Sequence, residues 1–157
     1  MVAGSKAYNK TEADYRGRIH VTFDWIDYLN LASDLENEAK CGNSLGEAKR
    51  RTSISRAYYS SFNLAKNYLI STGVTFNRSS EVHKEVQFHF EDLSRKEKDS
   101  NKRKNLIEIS NELGNLRSAR NKADYNDTLP RVDKLGQASL IRARKIESLV
   151  KSLSSFF

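Results

Sequence analysis

Cysteine, proline and glycine are all scarce in this chain of 157 residues, which has one cysteine, one proline and seven glycines. The single cysteine, Cys41, excludes an internal disulfide and a zinc site built from cysteines. It also favours a reducing compartment, so we expect a cytoplasmic location. Few helix breakers, beside many Ala, Leu, Lys, Arg and Glu residues, predict long helices.

Long apolar stretches are missing as well. No run approaches the roughly 18 apolar residues of a membrane-spanning helix, and residues 1–20 lack the apolar core of a secretory signal. We therefore expect neither a membrane span nor a secretory signal. Hydrophobic residues still make up 38% of the chain and aromatic residues 10%, too much for a disordered protein. The length suits one domain with its own core.

The net charge is moderately positive, because 27 Lys and Arg residues stand against 20 Asp and Glu residues, which gives +7. A basic balance favours an anionic partner such as nucleic acid. Helical proteins also carry such a charge for solubility. Charge alone therefore leaves both interpretations open.

Apolar residues recur at helical spacing in five stretches, which predicts an all-α protein folded as an antiparallel bundle of four or five helices. Residues 1–20 are polar and aperiodic, and we interpret them as an N-terminal arm. The bundle is expected to cover 21–157. Basic residues crowd 95–104, which we expect to be a solvated loop or a fraying helix end before a fourth helix over about 101–126.

Local signals predict where the first two helices begin and end. Thr22 or Asp24 can cap the first helix. Ser44, with Glu47 three residues later, forms a capping box for the second helix. Gly73 is a natural stop for that helix.

The fourth helix carries the most informative charge. Its apolar stripe continues into Arg120, at a position where Leu, Ile or Ala is expected. Arginine is rarely buried without a partner. Asp124, one turn later, and Arg117 lie on nearly the same face. Two guanidinium groups and one carboxylate should therefore line one strip of this helix.

Two interpretations of the strip remain open. In the structural one, Arg120 and Asp124 form an i,i+4 ion pair that holds the fourth helix to its neighbours. An exposed pair of this kind contributes only about 0.3–0.5 kcal/mol, whereas a buried pair can specify one packing arrangement. In the functional one, the strip faces a cleft or a dimer seam and binds phosphate, whose oxygens match the planar fork of arginine.

Tyrosines and histidines supply the other candidates. Tyr58 lies on the inner face of the second helix and is expected in the core, whereas Tyr59, close to Arg56, is displaced towards a groove where it can stack on bases. His83 is either a general base, because its ordinary pKa is near neutrality, or a surface or capping residue. It shares no helix face with His89 and no cysteine completes a ligand set, so we predict no metal site and no cofactor.

Three short motifs follow one another along the predicted helices. The second helix contains Ser-Arg-Ala-Tyr-Tyr at 55–59, the third opens with His-Lys-Glu-Val at 83–86, and the fourth closes with Arg-Asn-Lys-Ala-Asp-Tyr at 120–125. Over about 22–155 the chain resembles the HEPN superfamily. It is most similar to a branch with SRAYY in helix two and a late Arg-x3-Asp-Tyr motif.

The resemblance implies a four- or five-helix bundle that pairs as a homodimer. Many members cleave RNA without metal in toxin–antitoxin, phage-defence or RNA-processing systems. Their active motif is an arginine followed four to six residues later by a histidine, present in both subunits of the dimer. Arg120 matches that arginine, and Tyr125 replaces the histidine. Tyrosine is a poor base at pH 7. A nuclease would therefore borrow His83, or rely on Arg117 and Arg120 to stabilise the phosphorane.

The functional hypothesis is an RNA-directed HEPN protein, an endoribonuclease-like toxin or defence component with a composite site at the dimer seam. The alternative is a catalytically inactive binding or assembly module for a nucleotide, RNA or a nucleotidyltransferase antitoxin partner. The candidate catalytic residues are Arg120, Asp124, Tyr125 and His83. The candidate residues for binding phosphate or nucleic acid are Arg117, Arg56 and Tyr59.

Overall fold

The computed structural model describes residues 11–13, 19–21, 23–41, 45–76 and 81–154. In these ranges the chain forms five helices, which confirms the predicted helical bundle. They are α1 (Ile26–Lys40), α2 (Gly46–Ser71), α3 (Val82–Lys96), α4 (Ser100–Tyr125) and α5 (Val132–Ser154).

A small two-stranded sheet accompanies the helices, which dominate the fold and keep it in the predicted all-α class. Strands β1 (Thr11–Ala13) and β2 (Ile19–Val21) pair antiparallel, with Thr11 opposite Val21. The sequence does not reveal this hairpin, because the segment predicted as a polar arm shows no alternating apolar pattern.

Helix α2 lies at the centre of the bundle and contacts each of the other four helices. The residues that helical spacing predicts for its inner face are buried, except for the half-buried Tyr68, which confirms that prediction. They are Ile54, Ala57, Tyr58, Ser61, Ala65, Tyr68 and Leu69. Residues from all five helices form the main core, among them Leu29, Ala57, Tyr58, Leu69, Val86, Phe90, Ile109, Leu116 and Ile146. No helix in the described ranges is both long and apolar enough to cross a bilayer.

The predicted caps of the first two helices are met in part. The Asp24 carboxylate accepts a hydrogen bond from the Ile26 amide at 2.9 Å, as expected for a residue at the start of α1. The other two predicted caps, Thr22 and Ser44, lie outside the described residues. The N-cap of α2 is Leu45, whose φ is +72° and whose side chain makes no capping hydrogen bond.

The ends of the later helices follow simple local rules. Gly73, at φ +94°, follows the end of α2 as predicted. Of the two expectations for 95–104, a full loop is wrong and helix ends are found, because α3 and α4 leave only residues 97–99 between them. Asp99 caps α4 by accepting a hydrogen bond from the Lys102 amide at 2.8 Å, and this cap lets the helix start inside the basic stretch.

Helices α2 and α4 run antiparallel side by side. Residues of rising number on α2 face residues of falling number at α4 and its C-cap: Arg51 contacts Asn126, Ser55 contacts Asp124, and Tyr59 contacts Arg120. This pairing places the C-terminal turns of α4 against the first half of α2.

Candidate nucleic-acid interface

The guanidinium of Arg120 is held by three neighbours. Its Nε lies 2.7 Å from Oδ2 of Asp124, its Nη2 donates to the Tyr59 hydroxyl at 2.8 Å, and its Nη1 donates to Oδ1 of Asn121 at 3.2 Å. The side chains of Arg120 and Asp124 are 20% and 26% exposed. The i,i+4 pair that the spacing predicts is therefore present, at the edge of the bundle rather than in its interior.

Aromatic rings surround the two nearest guanidinium groups. The guanidinium carbon of Arg120 lies 5.3 Å from the ring centre of Tyr59 and 5.2 Å from that of Tyr125. The guanidinium carbon of Arg56 lies 5.5 Å from the Tyr59 ring centre and 4.8 Å from that of Tyr28. Such distances permit cation–π attraction. Tyr59 thus holds both arginines.

The balance of charge around Tyr59 is positive. In the described ranges neither Arg56 nor Arg117 forms an ion pair. The Nε atoms of Arg56 and Arg120 are both buried without a hydrogen-bond partner there, so Arg120 meets Asp124 as an ion pair and not as an aligned hydrogen bond. Asp124 is the only carboxylate that pairs with Arg120 there. We call this set the arginine cluster; it comprises Arg56, Arg117, Arg120, Tyr59, Asp124 and Tyr125.

The charge of Arg120 is permanent. Burial lowers its pKa, but the fields of Tyr59 and Asp124 raise it more, so the net shift is upward. A guanidinium is charged at any physiological pH in any case. The cluster can therefore offer positive charge to an anion without a proton being bound first.

His83, in the first turn of α3, lies next to the arginine cluster. Its Nδ1 lies 2.7 Å from the Tyr58 hydroxyl, and its ring centre lies 4.3 Å from that of Phe62 and 6.2 Å from that of Tyr59. Burial lowers the pKa of His83, and the positive charge of Arg117 lowers it further. The imidazole is therefore neutral at pH 7.

Tyr58 determines what His83 can do. Burial raises the pKa of Tyr58 to about 12, so its hydroxyl keeps its proton. The hydroxyl either donates to Nδ1 of His83, which leaves the proton on Nε2, or accepts from a protonated Nδ1, which leaves Nε2 free. Only the second tautomer lets His83 act as a base. As the sequence predicts, Tyr58 itself lies in the core.

Arg51 is a residue that the sequence analysis missed. Its guanidinium donates to the carbonyls of Ala123 at 2.9 Å, Asn126 at 2.7 Å and Asp127 at 3.4 Å, and it pairs with Glu47 at 2.8 Å. These carbonyls lie at the end of α4, where helical partners run out. Arg51 thereby fixes the turn that carries two cluster residues. No local pattern could reveal it, because its partners are distant in sequence.

A groove between α3 and α4 adjoins the cluster. Its volume is about 610 Å³. Arg117 and Tyr125 belong to both the cluster and the groove. We call it the α3–α4 groove; its lining residues are Gln87, Gly114, Arg117, Ser118, Asn121, Lys122, Tyr125 and Asn126.

The described residues contain no group of three His, Cys, Asp or Glu side chains that could hold a metal ion. All seven predicted site residues lie on α2, α3 or α4, and the structure connects them through Tyr59 and His83. No protein-family model, no curated protein and no solved structure matches this chain.

Proposed function

We propose that the protein is a HEPN-type RNA-binding protein and that the arginine cluster holds an RNA phosphate. The observation that supports this proposal is the excess of positive charge at this edge of the bundle. Arg56 and Arg120 both contact Tyr59, the charge of Arg117 acts on the adjacent His83, and Asp124 is the carboxylate that pairs with Arg120. Arginine forks match phosphate oxygens in geometry and charge.

Exposed aromatic surface supports RNA over a smaller anion. Tyr125 is 69% exposed and lies over the Arg120 guanidinium. Single-stranded nucleic acids bind where cationic side chains follow the backbone and aromatic rings stack on bases. A free phosphate ion would use the arginines and leave this ring unused.

The three arginines have different roles in phosphate binding. Arg120 is held by Asp124, Tyr59 and Asn121, so much of its bonding capacity is spent within the protein. Arg56 and Arg117 have no ion-pair partner among the described residues, so they can bind phosphate directly. Arg120 orients Tyr59 and adds its charge.

The binding test measures a labelled single-stranded RNA by fluorescence anisotropy at several salt concentrations. Each phosphate contact should contribute about 0.7 to the slope of log affinity against log salt. We expect Arg56→Ala and Arg117→Ala each to lower that slope by about this amount. Arg95→Ala removes an exposed arginine at the far end of α3 and is the matched control.

The result decides the proposal in either direction. A wild-type protein that binds no RNA in a salt-sensitive manner would overturn it. So would cluster variants whose affinity and slope equal those of Arg95→Ala.

RNA cleavage is a second candidate function, favoured by the neutral His83 beside the cluster. In the tautomer that leaves Nε2 free, His83 can accept the proton of a ribose 2′-hydroxyl. The resulting alkoxide attacks the adjacent phosphorus, the bond to the 5′-oxygen breaks, and a 2′,3′-cyclic phosphate forms. The departing 5′-oxygen takes up a proton from protonated His83, directly or through water, which restores the neutral imidazole. Arg117 and Arg120 would stabilise the charge that develops on the phosphorane.

The cleavage test incubates RNA with the protein in a metal chelator. We expect wild type to yield 2′,3′-cyclic phosphate ends, and Arg120→Ala and His83→Gln to yield far fewer. Equal degradation by wild type and Arg120→Ala would remove the nuclease hypothesis. Tight binding with intact RNA recovered would leave the inactive binding module, alone or with a nucleotidyltransferase partner, as the function.

We also propose that the protein forms a homodimer. Two arginine clusters facing each other across a seam would double the positive charge along the path of an RNA strand. Light scattering after size exclusion gives the mass directly, and a monomer that still binds RNA would exclude a composite site.

A further inference from the structure

A glycine opens the floor of the α3–α4 groove. A Cβ atom at Gly114 would lie 3.0 Å from Nε2 of Gln87, closer than side-chain atoms normally approach. The amide of Gln87 therefore lies across α4 at the one position where the helix has no side chain. This amide and the backbone at Gly114 form a shallow seat between the two helices.

The lining of the groove is rich in hydrogen-bonding groups and has no carboxylate. Its two cations are Arg117 and Lys122, and its amides are Gln87, Asn121 and Asn126. A surface of this kind attracts an anionic chain and offers donors and acceptors to its bases.

The orientation of the Asn121 amide is fixed by its neighbour. Arginine has only donors, so the oxygen of Asn121 must face Nη1 of Arg120, at 3.2 Å. The Nδ2 group of Asn121 therefore points away from Arg120. It is available to donate to a carbonyl oxygen or ring nitrogen of a ligand.

The groove continues from the arginine cluster. Tyr125 lines the groove, and its ring lies 5.2 Å from the Arg120 guanidinium carbon. The volume of about 610 Å³ is in the range of sites for small ligands. A nucleotide bound at the cluster by its phosphate would have its base at the mouth of this groove.

We propose that the α3–α4 groove binds a nucleobase of single-stranded RNA next to the phosphate held by the arginine cluster. The base stacks on Tyr125, and the amides of Gln87 and Asn121 bind its edge. This inference rests on the proposed RNA binding, and it adds a base preference to a cluster that by itself recognises only the backbone.

The composition of the groove favours RNA over a second copy of the chain. None of its lining residues is Leu, Ile, Val, Met or Phe. The buried centre of a dimer interface is enriched in such apolar residues and depleted of charge. Two cations without a carboxylate partner in the lining would be costly to bury against an identical surface.

The test fills the groove at its floor. Gly114→Leu places a side chain where Gln87 now lies, and Asn111→Leu adds the same side chain at an exposed position of α4 outside the groove. Binding is measured by anisotropy with the four homopolymer RNAs of about eight nucleotides, within the site sizes of single-strand binders.

We expect wild type to prefer one base and Gly114→Leu to lose both the preference and about tenfold in affinity, the loss expected for one stacked base. Asn111→Leu should behave as wild type. Gln87→Ala, which removes a half-buried amide and leaves the core intact, should weaken the preference in the same direction. Thermal unfolding checks that each variant is folded.

Three results would overturn the inference. If wild type binds no RNA, this inference and the proposed function fail together. If wild type binds RNA but Gly114→Leu and Gln87→Ala keep its affinity and its base preference, only the groove assignment fails. If Gly114→Leu changes the mass of the protein in solution and leaves RNA affinity unchanged, the groove is an interface between copies of the chain.

Discussion

Glu36 on α1 and Arg120 on α4 are both charged residues on faces that pack against other helices, and the bundle accommodates them in opposite ways. Glu36 is 1% exposed, its Oε1 lies 3.4 Å from Nε of Arg50, and its Oε2 has no partner among the described residues. Arg120 is 20% exposed and has three polar partners.

The difference shows that a charged residue on a packing face indicates a ligand site under two conditions. The charged group must be accessible to solvent, and its neighbours must not neutralise it fully. Glu36 is enclosed by neighbouring helices, with Gly136 of α5 against its carboxyl group. Nothing can bind there without opening the bundle. The arginine cluster lies at an edge and retains unpaired cations in the described ranges.

The largest expected effect is a loss of stability at Glu36, the enclosed charge of this comparison. A Cβ at Gly136 would lie 2.7 Å from Oε2 of Glu36, which is buried and cannot swing into water. We expect Gly136→Ala to lower the free energy of unfolding by about 1–3 kcal/mol, as overpacking does. Denaturant unfolding measures this change.

Gly114→Ala is the control for that variant. Its neighbour is the end of Gln87, which is half-buried and free to move, and alanine is favoured over glycine in a helix by about 0.5–1 kcal/mol. We expect it to leave stability unchanged or raised. Equal losses in both variants would show that the enclosure of Glu36 is not the cause.

The second largest effect is expected at the solvent-exposed arginine cluster. Arg51→Ala removes hydrogen bonds to the Ala123 and Asn126 carbonyls at the end of α4. We expect a loss of about 1–2 kcal/mol in unfolding free energy, typical of hydrogen bonds from a charged donor. RNA affinity should fall with it, because Asp124 and Tyr125 lie on that turn. Arg51→Lys has one nitrogen in place of three, so it cannot keep the Nη1 bonds to the two carbonyls together with the Glu47 and Asp127 contacts of Nε and Nη2, and it should restore stability only in part.

Replacing Glu36 by an apolar residue of similar length should raise the free energy of unfolding by about 1 kcal/mol. The exchange of a poorly paired buried charge for well-packed apolar atoms is often stabilising. Glu36→Met is the variant, and its partner Arg50 can turn towards solvent since its side chain is 22% exposed. The urea midpoint should rise. A clear loss of stability would mean that the carboxyl group is needed for packing.

The smallest effect is a pH dependence. The pKa of His83 is lower in the folded chain than its ordinary value, so the unfolded chain takes up a proton first as pH falls. The stability that neutral His83 contributes is present above its ordinary pKa of about 6.5 and is lost as pH drops towards the folded pKa. His83→Gln should flatten this part of the stability profile.

His89→Gln is the companion variant, since it removes the other histidine of α3 and leaves the Tyr58 contact in place. Chemical denaturation of both variants at a series of pH values isolates the contribution of His83. Identical profiles for the two would contradict the assignment.

The helices were predictable because apolar spacing is a local property. The Arg120–Asp124 pair was predictable for the same reason, since one helical turn fixes it. The burial of Glu36 was not, because helical spacing from Ala32 to Ala39 selects the apolar Leu35 beside it, and only the absence of a side chain at Gly136 makes room for the carboxyl group.

Contacts between helices explain the rest. The hydrogen bond between Tyr58 and His83 joins two residues that the sequence analysis treated separately, and the Tyr59–Arg120 bond depends on the register of α2 against α4. No spacing rule gives that register. The HEPN assignment, the homodimer and RNA as the ligand stay predictions.

Arg51 has one more consequence, which concerns the dipole of helix α4. The C-terminal end of a helix carries about half a negative charge, so the end of α4 should repel a phosphate. The Arg51 guanidinium lies on the carbonyls that carry this charge. Because Glu47 takes part of the charge of Arg51, the guanidinium offsets part of the dipole at the turn where Tyr125 meets solvent, and it occupies the carbonyls that a polyanion would otherwise face.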